Sequence, residues 1–333
     1  MMRIPLVVAL IIGSGVTSPA GQFRLEAATL PPGEPYGLPV NIPVNWAATN
    51  DLPSALWVYR VVPQTFAPAV VSNLMAIGHF GLKDAAKAPY ALGADKDAIY
   101  FRDTRTAWNH ALLIAPSLGW IQYFDESSSA REPVEGVPDD AEVERLALDC
   151  LLRLGIDQSL LADKPRSRYP AIQGKLAPDG KRTTRQVFQR GISLVRRIDG
   201  ILDAGKSFWI HFGSHARIKD FDLVWRNLSP HELRPLASPA EVIALIREGR
   251  AVAPMQDFDW AGSLKAARLT ITDVRLYYFD RPGMEQLDFT YPYAELQIAA
   301  ESGQTNTNTF YLLCPILSTN SFDSAQTSKR QLR

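Results

Sequence analysis

The pattern of apolar and polar residues between residues 185 and 227 predicts antiparallel strands joined by tight turns. Apolar residues alternate with polar ones in three runs, and Asp199-Gly200 and Gly213-Ser214 separate these runs. Such pairs are typical of hairpin turns, because glycine accepts a positive φ and aspartate bonds nearby backbone amides. We therefore predict a central meander here, at the start of a second domain.

The same reasoning predicts the other elements of the chain. Short apolar or alternating runs predict strands at 56–62, 99–102, 112–115, 120–124, 269–279, 287–299 and 309–316. Apolar residues three and four positions apart predict amphipathic helices at 67–79, 139–154 and 238–248. The third helix opens with Ser238, Pro239 and Glu241, which is a capping-box pattern. The predicted fold class is α+β, with antiparallel sheets and a few amphipathic helices packed on one face.

The length of 333 residues is enough for two domains. We predict an N-terminal α+β domain at 55–162 and a C-terminal antiparallel α+β domain at 185–317, followed by a polar tail at 318–333. The Pro- and Lys/Arg-rich segment 163–184 is either a linker or a hairpin excursion. Both halves have strands, an amphipathic helix and a return to strands, so two related subdomains remain an open interpretation.

The first 20 residues predict an export signal. Arg3 precedes an apolar run from Ile4 to Val16, and the small residues Ser18 and Ala20 occupy the cleavage positions. The run is shorter than the roughly 20 residues that span a bilayer, although an uncleaved anchor is the alternative. A Pro-rich leader at 21–54 follows, which we expect to be extended. The expected location is secreted or periplasmic, with no membrane span in the mature chain.

The charge balance and the cysteines limit the function further. Lys+Arg and Asp+Glu both number 35, which gives no electrostatic reason to expect a nucleic-acid partner. An exported chain could join Cys150 to Cys314. Cys150 lies on the apolar side of a predicted helix, however, where a buried thiol behaves as a small hydrophobe. Two free thiols are the favoured interpretation, and a bridge stays open.

His211 and His215 are the candidate metal ligands. They flank the Gly213-Ser214 turn, and Asp220 and Asp222 follow in the next predicted strand. Zinc needs three or four ligands, so two ordinary histidines at a hairpin end are the alternative. The chain has neither a phosphate-binding loop nor a Gly-x-Ser-x-Gly elbow, and no cofactor is predicted.

Aromatic residues are dense in the second half of the chain. Most should be core, but a sheet with one open face exposes a few, as peptide- and glycan-binding surfaces do. We predict Trp209, Phe212 and Trp225 as binding residues of such a surface.

Several short motifs resemble the tandem PepSY-like architecture of YycH/YycI-type regulatory proteins. The resemblance covers residues 55–317, and the motifs that carry it are Leu112-Leu113-Ile114, Gly119-Trp120-Ile121, Ile198-Asp199-Gly200-Ile201, Phe212-Gly213, Trp225-Arg226, Ser238-Pro239, Val274 to Phe279, Tyr291-Pro292 and Cys314-Pro315. It implies a binding or regulatory module without catalytic residues. Those regulators are membrane-anchored, whereas this chain is predicted to be cleaved free, which argues against regulation of a sensor kinase.

Two main functional hypotheses follow, and a purely structural envelope component is a third that the sequence barely separates from the first. The first is an exported, non-enzymatic protein that binds a protein or peptide partner through a sheet surface or edge, since edge addition uses only backbone groups. The alternative is a secreted hydrolase, metal-dependent or not, with its site near His211 and His215. The oligomeric state is not predicted.

Overall fold

The computed structural model describes residues 34–36, 42–86, 97–103, 110–126, 134–163, 167–176, 183–203, 207–253, 266–278, 287–301 and 307–318. The chain divides into two compact units, residues 1–30 and 31–333, and all described residues belong to the second. The predicted export signal and nearly all of the predicted polar tail lie outside the described residues. None of the described helices has the length and hydropathy that a membrane-crossing helix needs.

The described residues form three sheets, which we number I to III. Sheet I contains, in spatial order, β4 (Ala85–Ala86), β5 (Ile99–Arg102), β6 (His110–Ala115), β7 (Trp120–Asp125), β13 (Ile218–Val224), β12 (Phe208–Phe212), β9 (Thr183–Leu194) and β8 (Ser167–Leu176). Sheet II contains β1 (Glu34–Tyr36), β15 (Ala251–Ala253), β19 (Thr307–Pro315), β18 (Pro292–Glu301), β16 (Arg268–Tyr278), β11 (Ile201–Asp203) and β10 (Arg197–Ile198), and β2 (Val44–Trp46) also pairs with β16. Sheet III contains β14 (Asn227–Pro235), β3 (Ala55–Val62) and β17 (Phe289–Thr290). Sheets I and III are antiparallel in the described residues, whereas β2 and β11 run parallel to β16.

Three α-helices occur in the described part of the chain: α1 (Pro68–Ile77), α2 (Asp140–Arg153) and α3 (Pro239–Arg247). The Asp139 side chain caps α2 by accepting from the amide of Glu142 at 2.9 Å. Ser238 and Glu241 form the predicted capping box of α3. Helices packed on mostly antiparallel sheets confirm the α+β fold class.

The first core lies between sheet I and the helices α1 and α2. Alternation along β12 turns Phe208, Ile210 and Phe212 towards the helices, and all three are buried. Helix α2 supplies Val143, Ala147, Cys150 and Leu151, which recur at helical spacing, and α1 supplies Leu74. Two ion pairs also hold α2 on the sheet: Arg190–Asp140 at 2.6 Å and Arg168–Glu144 at 2.7 Å.

The second core lies between sheet II and α3. Val242, Leu245 and Ile246 of α3 pack against inward residues of β16, β18 and β19, among them Ile271, Leu296, Leu312 and Cys314. Ile42 of the Pro-rich leader is also buried in this core, and β2 pairs with β16. Of the leader, residues 34–36 and 42–54 are described; they include the short strands β1 and β2, and Ile42 contributes to the core, contrary to the prediction that the leader is not a core element.

The predicted central meander is split between two sheets. Strands β9, β12 and β13 are neighbours in sheet I, but β10 and β11 leave it and join sheet II, where Leu202 pairs with Tyr277. Asp199 and Gly200 have φ values of 50° and 78°, and Ile198 pairs with Ile201, so the turn between β10 and β11 is the tight hairpin that the sequence predicts. The prediction of one continuous meander is wrong, because this hairpin crosses to the other sheet.

Strands from both sides of the predicted boundary at 163–184 share sheet I. Residues 167–176 and 183–194 are antiparallel neighbours in this sheet. Strand β7 pairs with β13 over five register positions, from Trp120–Val224 to Phe124–Asp220. One sheet therefore draws strands from both predicted domains.

Trp225 and Arg226 connect sheet I to sheet III, and we call this segment the Arg226 junction. The Arg226 side chain is 1% exposed, and its Nε donates to the carbonyl of Leu118 at 3.0 Å. The carbonyl of Arg226 accepts from Arg196 at 2.8 Å, and that of Trp225 accepts from Gln64 at 2.9 Å. The junction is thus bonded to a turn of sheet I, to the segment before β10 and to the residues after β3.

A small aromatic cluster joins sheets II and III beside this junction. The rings of Tyr59 and Tyr278 meet edge to face at 5.5 Å, and Ile198 packs with them. The Tyr278 hydroxyl donates to the carbonyl of Trp57 at 2.8 Å, and the Tyr59 hydroxyl donates to the Asp199 side chain. Burial raises the pKa of both tyrosine hydroxyls, so both remain donors at neutral pH.

Replacing Arg226 with methionine is expected to lower the free energy of unfolding by about 1–3 kcal/mol, because the buried carbonyl of Leu118 loses its donor. Arg268→Met is the matched control, since the Arg268 side chain is 55% exposed, and it should stay within about 0.5 kcal/mol of the wild type. Urea denaturation measures both, and equal losses in the two variants would contradict the importance of the junction.

Both cysteines are free thiols in the two separate cores. Burial raises the pKa of Cys150 and of Cys314 to about 12, so thiolate is scarce at pH 8. We expect Ellman's reagent to label neither thiol in the folded chain, and to label both after denaturation without reductant. The thiols of the unfolded chain have a pKa of about 8.5, so they lose their protons at a lower pH than the buried thiols do. The free energy of unfolding should therefore fall as the pH rises from about 8.5 towards 12. Absence of titratable thiol after denaturation would indicate a bridge instead.

Candidate functional site

The face of sheet I opposite α1 and α2 gathers most of the chemistry that the sequence singles out. We call it the Trp209 face, and it comprises Trp120, Gln122, Trp209, His211, Asp220 and Asp222. Successive side chains of a strand point to opposite faces, so these residues alternate with the core residues of β7, β12 and β13. Trp209, His211 and both aspartates are half-buried, which leaves part of each accessible.

Asp222 is held from the neighbouring strands. It pairs in register with Trp209 on one side and with Gln122 on the other. One carboxylate oxygen accepts from Nε1 of Trp120 at 2.8 Å, and the other accepts from the Gln122 amide at 3.4 Å. The carboxylate beside the Trp209 ring therefore has a fixed orientation.

His211 is fixed by Asp220 on β13 and by Gly191 on β9, its register partners in the two neighbouring strands. Nδ1 of His211 lies 2.5 Å from Oδ1 of Asp220, and the two side chains are 21% and 23% exposed. A Cβ on Gly191 would lie 1.9 Å from Cδ2 of His211, so the imidazole lies directly over the glycine backbone. The ring of Trp209 is 5.1 Å from that of His211. A histidine oriented by a carboxylate can exchange hydrogen bonds or protons with a ligand through its other nitrogen.

The two predicted metal ligands lie in different settings. His211 is on β12 and is bonded to Asp220, whereas His215 lies in the short turn Ser214–Ala216 with a left-handed φ of 54°. The amide of His215 donates to the carbonyl of Glu135 at 2.9 Å. Across the described ranges, no group of three His, Cys, Asp or Glu side chains has an arrangement that could hold a metal. The zinc hypothesis thus finds no third ligand in that part of the chain.

Two of the three predicted binding aromatics are core residues. Phe212 is 1% exposed and Trp225 is 7% exposed, and both belong to the first core. Phe212 is in phase with Phe208 and Ile210, so it faces the helices, while the Trp225 ring packs under the Arg196 guanidinium at 4.8 Å. This corrects the prediction of an exposed surface for these two residues and leaves Trp209 on the open face.

A second polar cluster lies on the helix side of sheet I and was not predicted. Nδ1 of His110 lies 3.8 Å from a carboxylate oxygen of Asp103, and the imidazole stacks on Phe80 at 4.5 Å. Arg217 binds the buried Asp125 at 2.7 Å nearby. His110 packs between the core rings of Phe80 and Tyr123, whereas the Arg217 side chain that binds Asp125 is itself 45% exposed.

Neither a protein-family model nor a curated protein sequence matches this chain. Among solved structures, the chain is similar to an uncharacterized protein from Eubacterium rectale ATCC 33656, with 10% sequence identity and a TM-score of 0.42. The similarity covers 81% of this chain and 85% of that one.

Gly191→Ala should lower the free energy of unfolding by about 1–3 kcal/mol, because the added methyl group collides with the His211 ring. Truncating the ring in Gly191→Ala/His211→Ala should recover part of that loss, although the Ile210 carbonyl would still lie 2.9 Å from the methyl carbon.

Gly81→Ala is the control for this double-mutant cycle, because the nearest atom to its added Cβ is 3.7 Å away. Urea denaturation of the wild type, Gly191→Ala, His211→Ala and Gly191→Ala/His211→Ala gives the coupling energy. An additive double variant would show that His211 does not lie over Gly191 in solution.

Proposed function

We propose that the chain is an exported, non-enzymatic binding or regulatory protein that engages a protein or peptide partner through the Trp209 face. The observation that carries this proposal is the half-buried indole of Trp209, flanked by the fixed polar groups of Asp222 and His211. Indole rings supply large contact area at low entropic cost and dominate the energetics of many protein interfaces. Export is supported by the signal-like sequence of residues 1–20.

The face is favoured over the β14 edge of sheet III, which is one of the edges that the sequence hypothesis allows. Strand β14 is an edge of sheet III, but Pro230 within it lacks an amide donor. The carbonyl of Pro235 at its end already accepts from the amide of Ser318 at 3.0 Å. An added strand would therefore find few continuous donors and acceptors along β14.

We also propose that sheets I and II are the cores of two related subdomains. Each carries its helices on one face, with α1 and α2 on sheet I and α3 on sheet II. The PepSY-like resemblance of residues 55–317 also favours two subdomains, and it implies a binding module without catalysis. If one subdomain arose by duplication of the other, the β10–β11 hairpin joined sheet II after that duplication.

Selection of a peptide-display library on the purified mature protein tests the proposed face. Peptides selected on the wild type should bind Trp209→Ala at least about tenfold more weakly, because a hot-spot indole typically contributes 2 kcal/mol or more. Tyr311→Ala is the control, since Tyr311 is 41% exposed on sheet II and lies outside the Trp209 face. Equal binding to Trp209→Ala and the wild type would contradict the proposal.

One observation favours the alternative of a hydrolase: Nδ1 of His211 lies 2.5 Å from Oδ1 of Asp220. A histidine that a carboxylate orients is a common arrangement of a general base. Stoichiometric metal, or ester hydrolysis, that is present in the wild type and lost in His211→Ala/His215→Ala would support this alternative. The same result would overturn the non-enzymatic proposal.

A further inference from the structure

Sheet III carries a basic and aromatic cluster that neither functional hypothesis uses. Arg60 of β3 pairs in register with Phe289 of β17, and its guanidinium carbon lies 5.7 Å from the centre of the Phe289 ring. His231, at the bulge of β14, places its imidazole 4.8 Å from the same ring. We call Arg60, His231 and Phe289 the Phe289 cluster.

No carboxylate of the described residues forms an ion pair with Arg60. Within the described ranges, eight other arginines form ion pairs with carboxylates, whereas the Arg60 guanidinium lies near the Phe289 ring. The nearby acid of β14, Glu232, is bound by Arg234 at 2.6 Å. The guanidinium of Arg60 is therefore charged, exposed and unneutralised by the residues that the structure describes.

The contact with Phe289 prepares Arg60 for an acidic ligand. A guanidinium near an aromatic ring keeps a restricted orientation, while its N–H groups remain at the edge of the guanidinium plane. Two of these parallel N–H groups match the two oxygens of a carboxylate. Ordering the side chain in advance reduces the entropy lost on binding.

The surroundings favour a protein segment as the source of that carboxylate. Val62 lies two residues beyond Arg60 on the same face of β3 and is 38% exposed. Phe289, on the neighbouring strand β17, is also partly exposed. A peptide segment with an acidic residue next to an apolar one can pair with the cation and also cover the neighbouring apolar surface. A free phosphate would pair with the cation but leave that apolar surface in contact with water.

We propose that the Phe289 cluster binds an acidic peptide segment of a partner protein. The two oxygens of a Glu or Asp carboxylate of that segment accept hydrogen bonds from two parallel N–H groups of Arg60. A neighbouring apolar side chain of the segment covers Phe289 and Val62. His231 also contacts the Phe289 ring and limits where the segment can lie. The site is independent of the Trp209 face and stands whether or not that face binds a partner.

An NMR titration of the full chain tests this site. The probe is the peptide acetyl-Gly-Leu-Glu-Leu-Gly-amide, compared with its glutamine analogue and with inorganic phosphate. We expect the glutamate peptide to shift the resonances of the Arg60 Nε–H group, Val62 and Phe289. Arg60→Gln should weaken its binding about tenfold or more, since charged hydrogen bonds are lost. Phe289→Leu should weaken it about twofold to fivefold, since only the cation–π contact is lost.

Arg102→Gln is the matched control, because Arg102 is also exposed and forms no ion pair in the described part of the chain. This variant should bind the glutamate peptide as the wild type does. The proposal is overturned if the glutamine peptide binds equally well, if Arg102→Gln weakens binding as much as Arg60→Gln, or if phosphate alone shifts Arg60. Absence of any shift at Arg60 with 10 mM of the glutamate peptide, on the order of the weakest useful affinity, also overturns it.

Discussion

The buried guanidinium of Arg226 is the constraint on which the arrangement of the three sheets depends. A charged group 1% exposed must be surrounded by oriented acceptors, because desolvating it without them costs several kcal/mol. Leu118 supplies one such acceptor from a turn of sheet I. The backbone of the same residue is bonded to Arg196, and that of Trp225 to Gln64. The three sheets can therefore adopt only an arrangement in which all of these hydrogen bonds form at the same time.

Local chemistry made much of the fold predictable from sequence. The capping residues Asp139 and Ser238, and the Asp199-Gly200 turn, act over a few positions and leave recognisable patterns. The sheet that the hairpin joins was not predictable, because Leu202 pairs with Tyr277 through backbone groups that every residue carries. Strand β14 was missed for a related reason: its prolines argue against a strand, yet they are tolerated at an edge.

The candidate site shows the same division between local and distant effects. Alternation along β12 separates Trp209 and His211 from Phe212, so the burial of Phe212 follows from its phase in the strand. Gln122 gave no signal and Gly191 gave only an unspecific one, because their roles exist only when β9 and β7 lie beside β12 and β13. A glycine within a strand is a general indication of close approach, and here the approaching group is an imidazole.

The path of the chain through the β10–β11 hairpin has a consequence for modularity. The polypeptide leaves sheet I after β9, contributes two short strands to sheet II, and returns to sheet I as β12. Sheet I also needs β4 to β7 from the first half of the sequence. No single cut in the chain separates the two cores into complete fragments. The strands of the two cores therefore alternate along the sequence. A recombination event that exchanged one half of the chain would also remove strands from the sheet of the other half.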